Sequence, residues 1–505
     1  MENTLKDNIR HIGMRSAVSN YIGKTLMVIV EAGIFILVTK KLMINDYGTY
    51  SFLIATFAFF TFFASLGIPY ALLRFIPEYI EHGKKDTAIS IIRLSLYAIT
   101  ALGVLLIVCS FFTADKISII FKIALLKKLF PLIVLIGTFY IVIRTGGEIL
   151  NALFLQPFRN ICQVLGSLIK LFSFVFIFQY GLSVGWLLAA IAAVSILQSL
   201  AYFGRIYIYF RGVKPQKIVP KTDLRRFSVF SAKEYLYIAT AFFWDMSFDI
   251  YVITYLLGAV SAGIFNFAAS ISFFLLHWSP GIVLQSVVLP LFVREHTKRK
   301  DSTFLKNIFG FYNKFKAFFA FPAVFGVWLL ADKFELIVYQ NKFAPAVLAL
   351  RILAFSVMLQ TFTIPMRDIF NVFEKNEFSL YCNSVIIYRV IASFVLIKHF
   401  GIIGAAYAYG TSMVIYFLIH LVFINRIIKV HYPVQAFIKI LVNSLVMALS
   451  LIILKHFMNN DLGWLLVVAI SGVLVYLFMS YINKPFKKEE RSLINTALGI
   501  PIWQF

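Results

Sequence analysis

Charge is what this sequence has least of. Of its 505 residues only 14% are Asp, Glu, Lys or Arg, against 61% hydrophobic and 17% aromatic. Soluble globular domains carry about a quarter charged residues, so a water-soluble enzyme or a nucleic-acid-binding domain is excluded. Acids are the scarcest class, 23 Asp and Glu against 47 Lys and Arg, for a net charge of +24. The three cysteines (Cys109, Cys162 and Cys382) lie in or beside apolar runs without a CxxC, which excludes a disulfide framework and a thiolate metal centre. No GxxxxGK[ST] loop is present to cradle a nucleotide. Long hydrophilic stretches are missing too: the longest connection, about 209–231, is a basic linker containing Pro215 and Pro220. A glycan polymerase, ligase or glycosyltransferase usually needs a large loop or domain with clustered acids or DxD-like metal ligands. No loop here offers one. The expectation is a non-enzymatic protein with neither cofactor nor metal.

What is present is a succession of apolar runs of bilayer length. About 20 apolar residues cross the hydrocarbon core as a helix, and the period-2 alternation of a membrane barrel is missing. The expected fold is therefore all-α, a polytopic membrane protein of about fourteen transmembrane helices. The first six lie near 21–43, 49–71, 88–112, 129–151, 160–180 and 184–208, and the next six near 232–257, 262–290, 309–331, 345–366, 378–398 and 401–425. Two more follow near 434–457 and 462–482. The N-terminal stretch "MENTLKDNIRHIGMRSAVSN" is too polar for a cleavable signal, so insertion is assigned to the first span. Lys and Arg concentrate in alternate connections, with the densest clusters at 205–226 and 294–300 and none near 178–184 or 257–262. That asymmetry places both termini in the cytoplasm, and the expected location is the plasma membrane. It also explains the net charge without nucleic acid.

A repeat runs across the linker. "DYGTYSF" (46–52) opens the second span and "SAGIFNF" (261–267) the eighth, matching Gly48 with Gly263, Tyr50 with Phe265 and Phe52 with Phe267 at an offset of 215. "QYGLSVGWLLAA" (179–190) and "HFGIIGAAYAYG" (399–410) match Gly181 with Gly401 at an offset of 220, and Arg205 and Arg426 close these spans. Six spans per repeat is an even number, which gives both halves one orientation, as in parallel-repeat transporters. The expected organisation is a six-helix lobe at 1–208, a cytoplasmic linker at 209–231, a second six-helix lobe at 232–430, and two added helices with a basic tail at 431–505.

In this order of pieces the chain resembles the polysaccharide flippases of the multidrug/oligosaccharidyl-lipid/polysaccharide exporter superfamily, most closely the O-antigen and capsule type. The resemblance rests on "LMINDYGTYSF" (42–52), "FASLGIPYALLRFIPEYIEHGKKD" (63–86), "FLQPFRN" (154–160) and "GAVSAGIFNFAASI" (258–271). It implies transfer of a polyprenyl-diphosphate-linked oligosaccharide from the cytoplasmic to the outer leaflet by alternating access. The partners it implies are that lipid-linked glycan, membrane lipids and glycan-assembly enzymes, around a monomeric chain. A cation-coupled multidrug exporter of the same superfamily is the first alternative, and a membrane-embedded glycan polymerase or ligase the second.

Charges inside spans face a cavity or a partner, because a charge at mid-bilayer costs roughly 2.5–3.5 kcal/mol on insertion scales. Asp245 and Asp249 stand four apart, and at the offset of 215 Glu31 falls on Met246 beside them. These three acids are the candidates for a coupling cation, proton or sodium, with pairing to a neighbouring Arg or Lys as the plainer reading. Lys170 continues a polar stripe, Gln163–Ser167–Lys170–Ser173, and Arg389 lies near its repeat equivalent at an offset of 219. Lys170, Arg389, Arg351 and Arg74 are candidates for contact with diphosphate or acidic sugars, against salt bridges within the protein. Asn266, Ser270, His277, Gly281 and Gln285 form a second stripe around Pro280, from which Asn266 and His277 join the substrate candidates. Arg144 and Glu148, four apart, read as an intrahelical ion pair, and Lys24 as a residue snorkelling to the interface.

Overall fold

Backbone amides inside a bilayer have no water to bond, so each must find its partner within its own helix. The computed structural model describes residues 23–181, 183–216, 219–277, 302–373, 375–428, 432–457, 459–498 and 503–505, and among these it contains no strand. The chain divides into two compact units, Met1–Asn266 and Phe267–Phe505. Nine helices among the described residues are long and apolar enough to cross a membrane, or up to eleven if each of two bent pairs is one span. The distance from the expected fourteen lies in three places. The helix over 23–41 carries Lys24, Glu31, Lys40 and Lys41, only the part of 262–290 up to His277 is described, and 385–428 is one bent helix.

The first unit comprises α1 (23–41), α2 (Ile44–Phe63), α3 (Ile68–Glu81), α4 (Lys85–Phe121), α5 (Leu126–Ala152), α6 (Gln156–Gln179), α7 (Val184–Tyr209), α8 (Lys221–Ala241), α9 (Met246–Leu257) and the start of α10 (Ala259–His277). Its core gathers Leu72, Phe75, Ile91, Ile149, Leu150 and Tyr202 from α3, α4, α5 and α7. The expected second span is bent by 46° between α2 and α3. There Leu66 and Gly67 hold φ of 51° and 70°, and Pro69 opens α3. A Cβ on Gly67 would meet the Ser231 carbonyl oxygen at 2.1 Å, and the Ser231 hydroxyl donates to the Leu66 carbonyl at 2.7 Å, supplying a partner that the bend removes.

The expected seventh span differs from a straight helix over 232–257. Helix α8 begins at Lys221, inside the expected linker, and is bent by 56° from α9. Between them a 3₁₀ turn, Phe242–Trp244, ends at Asp245, whose extended backbone (φ −79°, ψ 142°) caps α9 and whose Oδ1 accepts from the Ser247 amide at 2.8 Å. The break lets a carboxylate satisfy an orphan amide at a helix N-terminus, where negative charge is favourable. Asp249, one turn on, is fully buried.

Lipid tails are as apolar as Leu, so helices in a membrane are held together by close packing rather than by the hydrophobic effect. Helices α2 and α10 cross where a Cβ on Gly48 would stand 2.0 Å from the Ala259 carbonyl oxygen, and one on Gly263 would stand 2.8 Å from the Gly48 Cα. Asn266 donates to the Tyr47 hydroxyl at 3.0 Å and to the Ser51 hydroxyl at 2.9 Å. The contacting pairs Gly48 with Gly263 and Ser51 with Asn266 both stand at the offset of 215 noted in the sequence.

The second unit holds the rest of α10, then α11 (Ser302–Tyr339), α12 (Ala346–Val372), α13 (Asn376–Asn383), α14 (Val385–Ile428), α15 (Val434–His456), α16 (Leu462–Asn483) and α17 (Lys488–Leu498). The spans expected near 378–398 and 401–425 meet within α14 at Gly401, whose φ of 62° and ψ of −141° interrupt the helix. The two added spans, α15 and α16, pack on α11 through Phe318, Met447, Leu451, Leu465, Val468 and Tyr476. The Tyr476 hydroxyl donates to the Phe318 carbonyl at 2.7 Å. The basic tail is anchored: Glu490 on α17 pairs with buried Lys314 at 2.7 Å, and Trp503 stacks on Phe315 at 5.6 Å between ring centres.

Two outcomes are expected in thermal unfolding of the purified protein. Gly48→Ala must push α2 from α10 and lowers stability by about 1–3 kcal/mol, whereas Gly33→Ala, with nothing within 4 Å of the added carbon, is neutral or stabilising. Asp245→Ala loses about 1 kcal/mol of capping while Asp245→Asn retains most of it. Equal losses for the two Asp245 variants would show that its charge matters and its cap does not.

Candidate functional site

Polar side chains from five helices of the first unit converge on one region. From α1, Glu31 receives Lys170 of α6 on both carboxylate oxygens, at 2.7 and 2.8 Å, and the Ser167 hydroxyl at 2.8 Å. The polar stripe read along α6 thus points at Glu31. The pair is only partly sheltered, with 23% of the Lys170 side chain and 31% of the Glu31 side chain accessible. Tyr50 of α2 lies within electrostatic range of Glu31. Tyr140 of α5 lies within range of Glu31, Arg144 and Arg159 together, which ties the acid pair to the cations beyond it. Arg159 opens α6 and stands in range of Lys24 on α1.

Arg144 does not pair with Glu148. Its guanidinium donates to the Tyr70 hydroxyl at 3.0 Å and lies 5.2 Å from the centre of that ring, while Glu148 accepts from Asn151 at 2.9 Å. Aromatic face and hydroxyl together hold the guanidinium in one orientation. Among the described residues no ion pair engages Lys24, Arg144 or Arg159. Tyr140 and Tyr70 are 41% and 37% exposed. Four cations (Lys24, Arg144, Arg159 and Lys170) are thus linked through Tyr140 and Arg159 into one set, and of these only Lys170 has a carboxylate on it among the described residues. Such a set can bind a polyanion through charge-assisted hydrogen bonds and stack a sugar on an aromatic face.

The other sequence candidates are placed elsewhere. Arg74 is exposed on α3, donates to Glu78 at 3.0 Å, and shares that carboxylate with Arg226 of α8 over the Phe75 ring. Asn266 belongs to the α2–α10 crossing. In the second unit Arg351 donates to the Trp328 carbonyl at 2.8 Å and lies 3.6 Å from Asp332, which Lys455 also holds at 2.7 Å. Arg389 is fully buried in α14, 4.7 Å from the centre of the Tyr409 ring, whose hydroxyl donates to Gln360 at 3.1 Å. The His277 side chain, Pro280, Gly281 and Gln285 lie outside the described residues. Among the described residues no group of three or more His, Cys, Asp or Glu is placed to hold a metal ion. Sequence reasoning missed Arg159, Tyr140 and Tyr70. Arg159 stands inside the quoted "FLQPFRN", where a cation at the start of a span was the available signal.

Comparison with known proteins follows this geometry. Over 183 residues the chain is 25% identical to a protein named probable low-salt glycan biosynthesis flippase Agl15, from Haloferax volcanii, a match covering 36% of this chain and 38% of that one. A solved structure of the lipid II flippase MurJ in an inward closed conformation superposes with a TM-score of 0.74 at 17% identity, covering 93% of this chain and 98% of that one. A multidrug resistance MATE family transporter of the MOP superfamily, solved inward-facing, gives 0.66 at 16% identity over 82% of this chain and 99% of its own. At such identities these two likenesses concern the fold. The family model described as polysaccharide biosynthesis protein matches residues 14–296, more than half of the chain, and this multi-pass membrane protein belongs to that family.

Proposed function

We propose that the chain carries a polyprenyl-diphosphate-linked oligosaccharide from the cytoplasmic to the outer leaflet by alternating access, without catalysing a covalent step. The observation that carries this reading is the cationic set around Tyr140. A drug cation has no use for Lys24, Arg144, Arg159 and Lys170, whereas a diphosphate meets a guanidinium through paired hydrogen bonds and an ammonium as a point charge. The set also spans depth: Arg159 and Lys170 are eleven positions apart on α6, about 16 Å along its axis at about 1.5 Å per residue. In the proposed topology, with both termini cytoplasmic in the plasma membrane, this ladder runs from the inner boundary to mid-bilayer. Membership of the polysaccharide biosynthesis family supports the same reading, as does the glycan flippase named among its relatives. The lobes at 1–208 and 232–430, their linker at 209–231 and the added pair at 431–505 are the proposed moving parts, in a monomer served by glycan-assembly enzymes. For Asp245, Asp249 and Glu31 cation coupling is a separable proposal, to be tested by imposing proton or sodium gradients.

The test is proteoliposome transport of a fluorescent polyprenyl-diphosphate oligosaccharide, read by accessibility of its sugar. Arg144→Ala/Arg159→Ala is expected to lower the rate at least ten-fold, since each lost charge-assisted contact is worth roughly 1.5–3 kcal/mol, with thermal unfolding little changed. Wild-type protein that leaves the lipid unmoved but expels organic cations would overturn the flippase reading for drug export.

A further inference from the structure

The Glu31–Lys170 pair has a property that a simple helix clamp does not need. Two donors of the α6 stripe, the Lys170 ammonium and the Ser167 hydroxyl, converge on one carboxylate at 2.7–2.8 Å. They are the donors that a phosphate at the same depth would require. The pair is also open to exchange, since about a quarter to a third of each side chain is accessible. Nearby, Lys24, Arg144 and Arg159 have no carboxylate on them among the described residues. One end of the ladder is therefore uncompensated and the other carries its own anion.

We propose that Glu31 is a built-in competitor for the ligand's phosphate: it holds Lys170 and Ser167 against the incoming anion and, by retaking them, drives that anion off. This rests on the diphosphate reading given above and assigns Glu31 a role in release. A phosphate that reaches Lys24, Arg144 and Arg159 gains contacts without breaking any ion pair among the described residues. At Lys170 it must displace a carboxylate that is tethered beside the ammonium and always available. The carboxylate carries less charge than a diphosphate, so the larger anion wins while it is also held by the neighbouring cations. When those contacts are given up, Glu31 regains Lys170. A conducting or transporting site needs binding favourable enough to load and weak enough to unload, and a tethered counter-ion meets both needs within one pair. Glu31 is here a residue that tunes affinity through Lys170, without touching the ligand itself.

The experiment uses the full chain in nanodiscs, titrated with farnesyl diphosphate, a short polyprenyl diphosphate without sugar, with thermal unfolding measured alongside. Glu31→Gln is expected to bind about five-fold tighter than wild type, the size set by freeing a partly exposed ion pair, and to flip lipid-linked oligosaccharide more slowly. Lys170→Met is expected to bind roughly ten-fold more weakly or worse, from the loss of a charged donor. Should Glu31→Gln fail to fold, Glu31→Asp decides the same point: it keeps the charge but withdraws it by one methylene, and tighter binding is again expected. A folded Glu31 variant that binds no tighter while wild type binds would overturn this inference and leave the flippase reading standing. Absence of binding in every protein, wild type included, would overturn both.

Discussion

An ion inside hydrocarbon is tolerated only with a counter-charge or with water, and this choice organises the polar chemistry of the protein. At Arg351 and Lys455 the answer is a counter-charge: both lie on Asp332, and each also donates to one backbone carbonyl, of Trp328 and Leu329 respectively. Lys314 is answered in the same way by Glu490. Lys24, Arg144 and Arg159 lack any such acid among the described residues, and a cluster of that kind implies water around it. Glu31 and Lys170 stand between the two cases, paired yet partly accessible. Compensation in the functional region is thus incomplete, whereas Arg351, Lys455 and Lys314 of the second unit each have an acid on them.

The same economy governs the backbone. The two breaks in the first unit are each accompanied by a specific substitute for a hydrogen bond they remove. Ser231 serves the Leu66 carbonyl at the bend between α2 and α3, and Asp245 serves the Ser247 amide at the start of α9. Both breaks lie on the two bent spans, α2–α3 and α8–α9, which pack on one another within the first unit. Bends with fixed partners are fixed shapes, so these spans keep their angle while their neighbours determine where they lie.

Much of the fold was legible because a span is a one-dimensional property: about twenty apolar residues in a row announce a helix whatever surrounds it. Breaks were not, because an aspartate that caps a helix and an aspartate that binds a cation look alike inside "FFWDMSFD" (242–249). Pairing was legible only as spacing along one helix, and there it misled. Arg144 and Glu148 sit four apart, yet Arg144 reaches Tyr70, 74 positions away. Pairing of Glu31 and of Lys170 within the protein was the plainer reading of each, yet nothing in the string says that these two, 139 positions apart, are the partners. Arg159 drew no notice because one cation beside a proline at the start of a span is what topology alone would place there. Charge inventory is a sequence property, whereas compensation is a property of three dimensions.

The crossing of α2 and α10 constrains how this chain can vary over generations. Gly48 and Gly263 stand against each other across the crossing. Neither can drift alone, because a methyl gained on either side is aimed at the other helix's backbone, and no compensating loss remains once both are glycine. Residues more than two hundred positions apart usually vary independently. Where each is packed on the other's backbone that freedom is withdrawn, and two codons behave as a single locus.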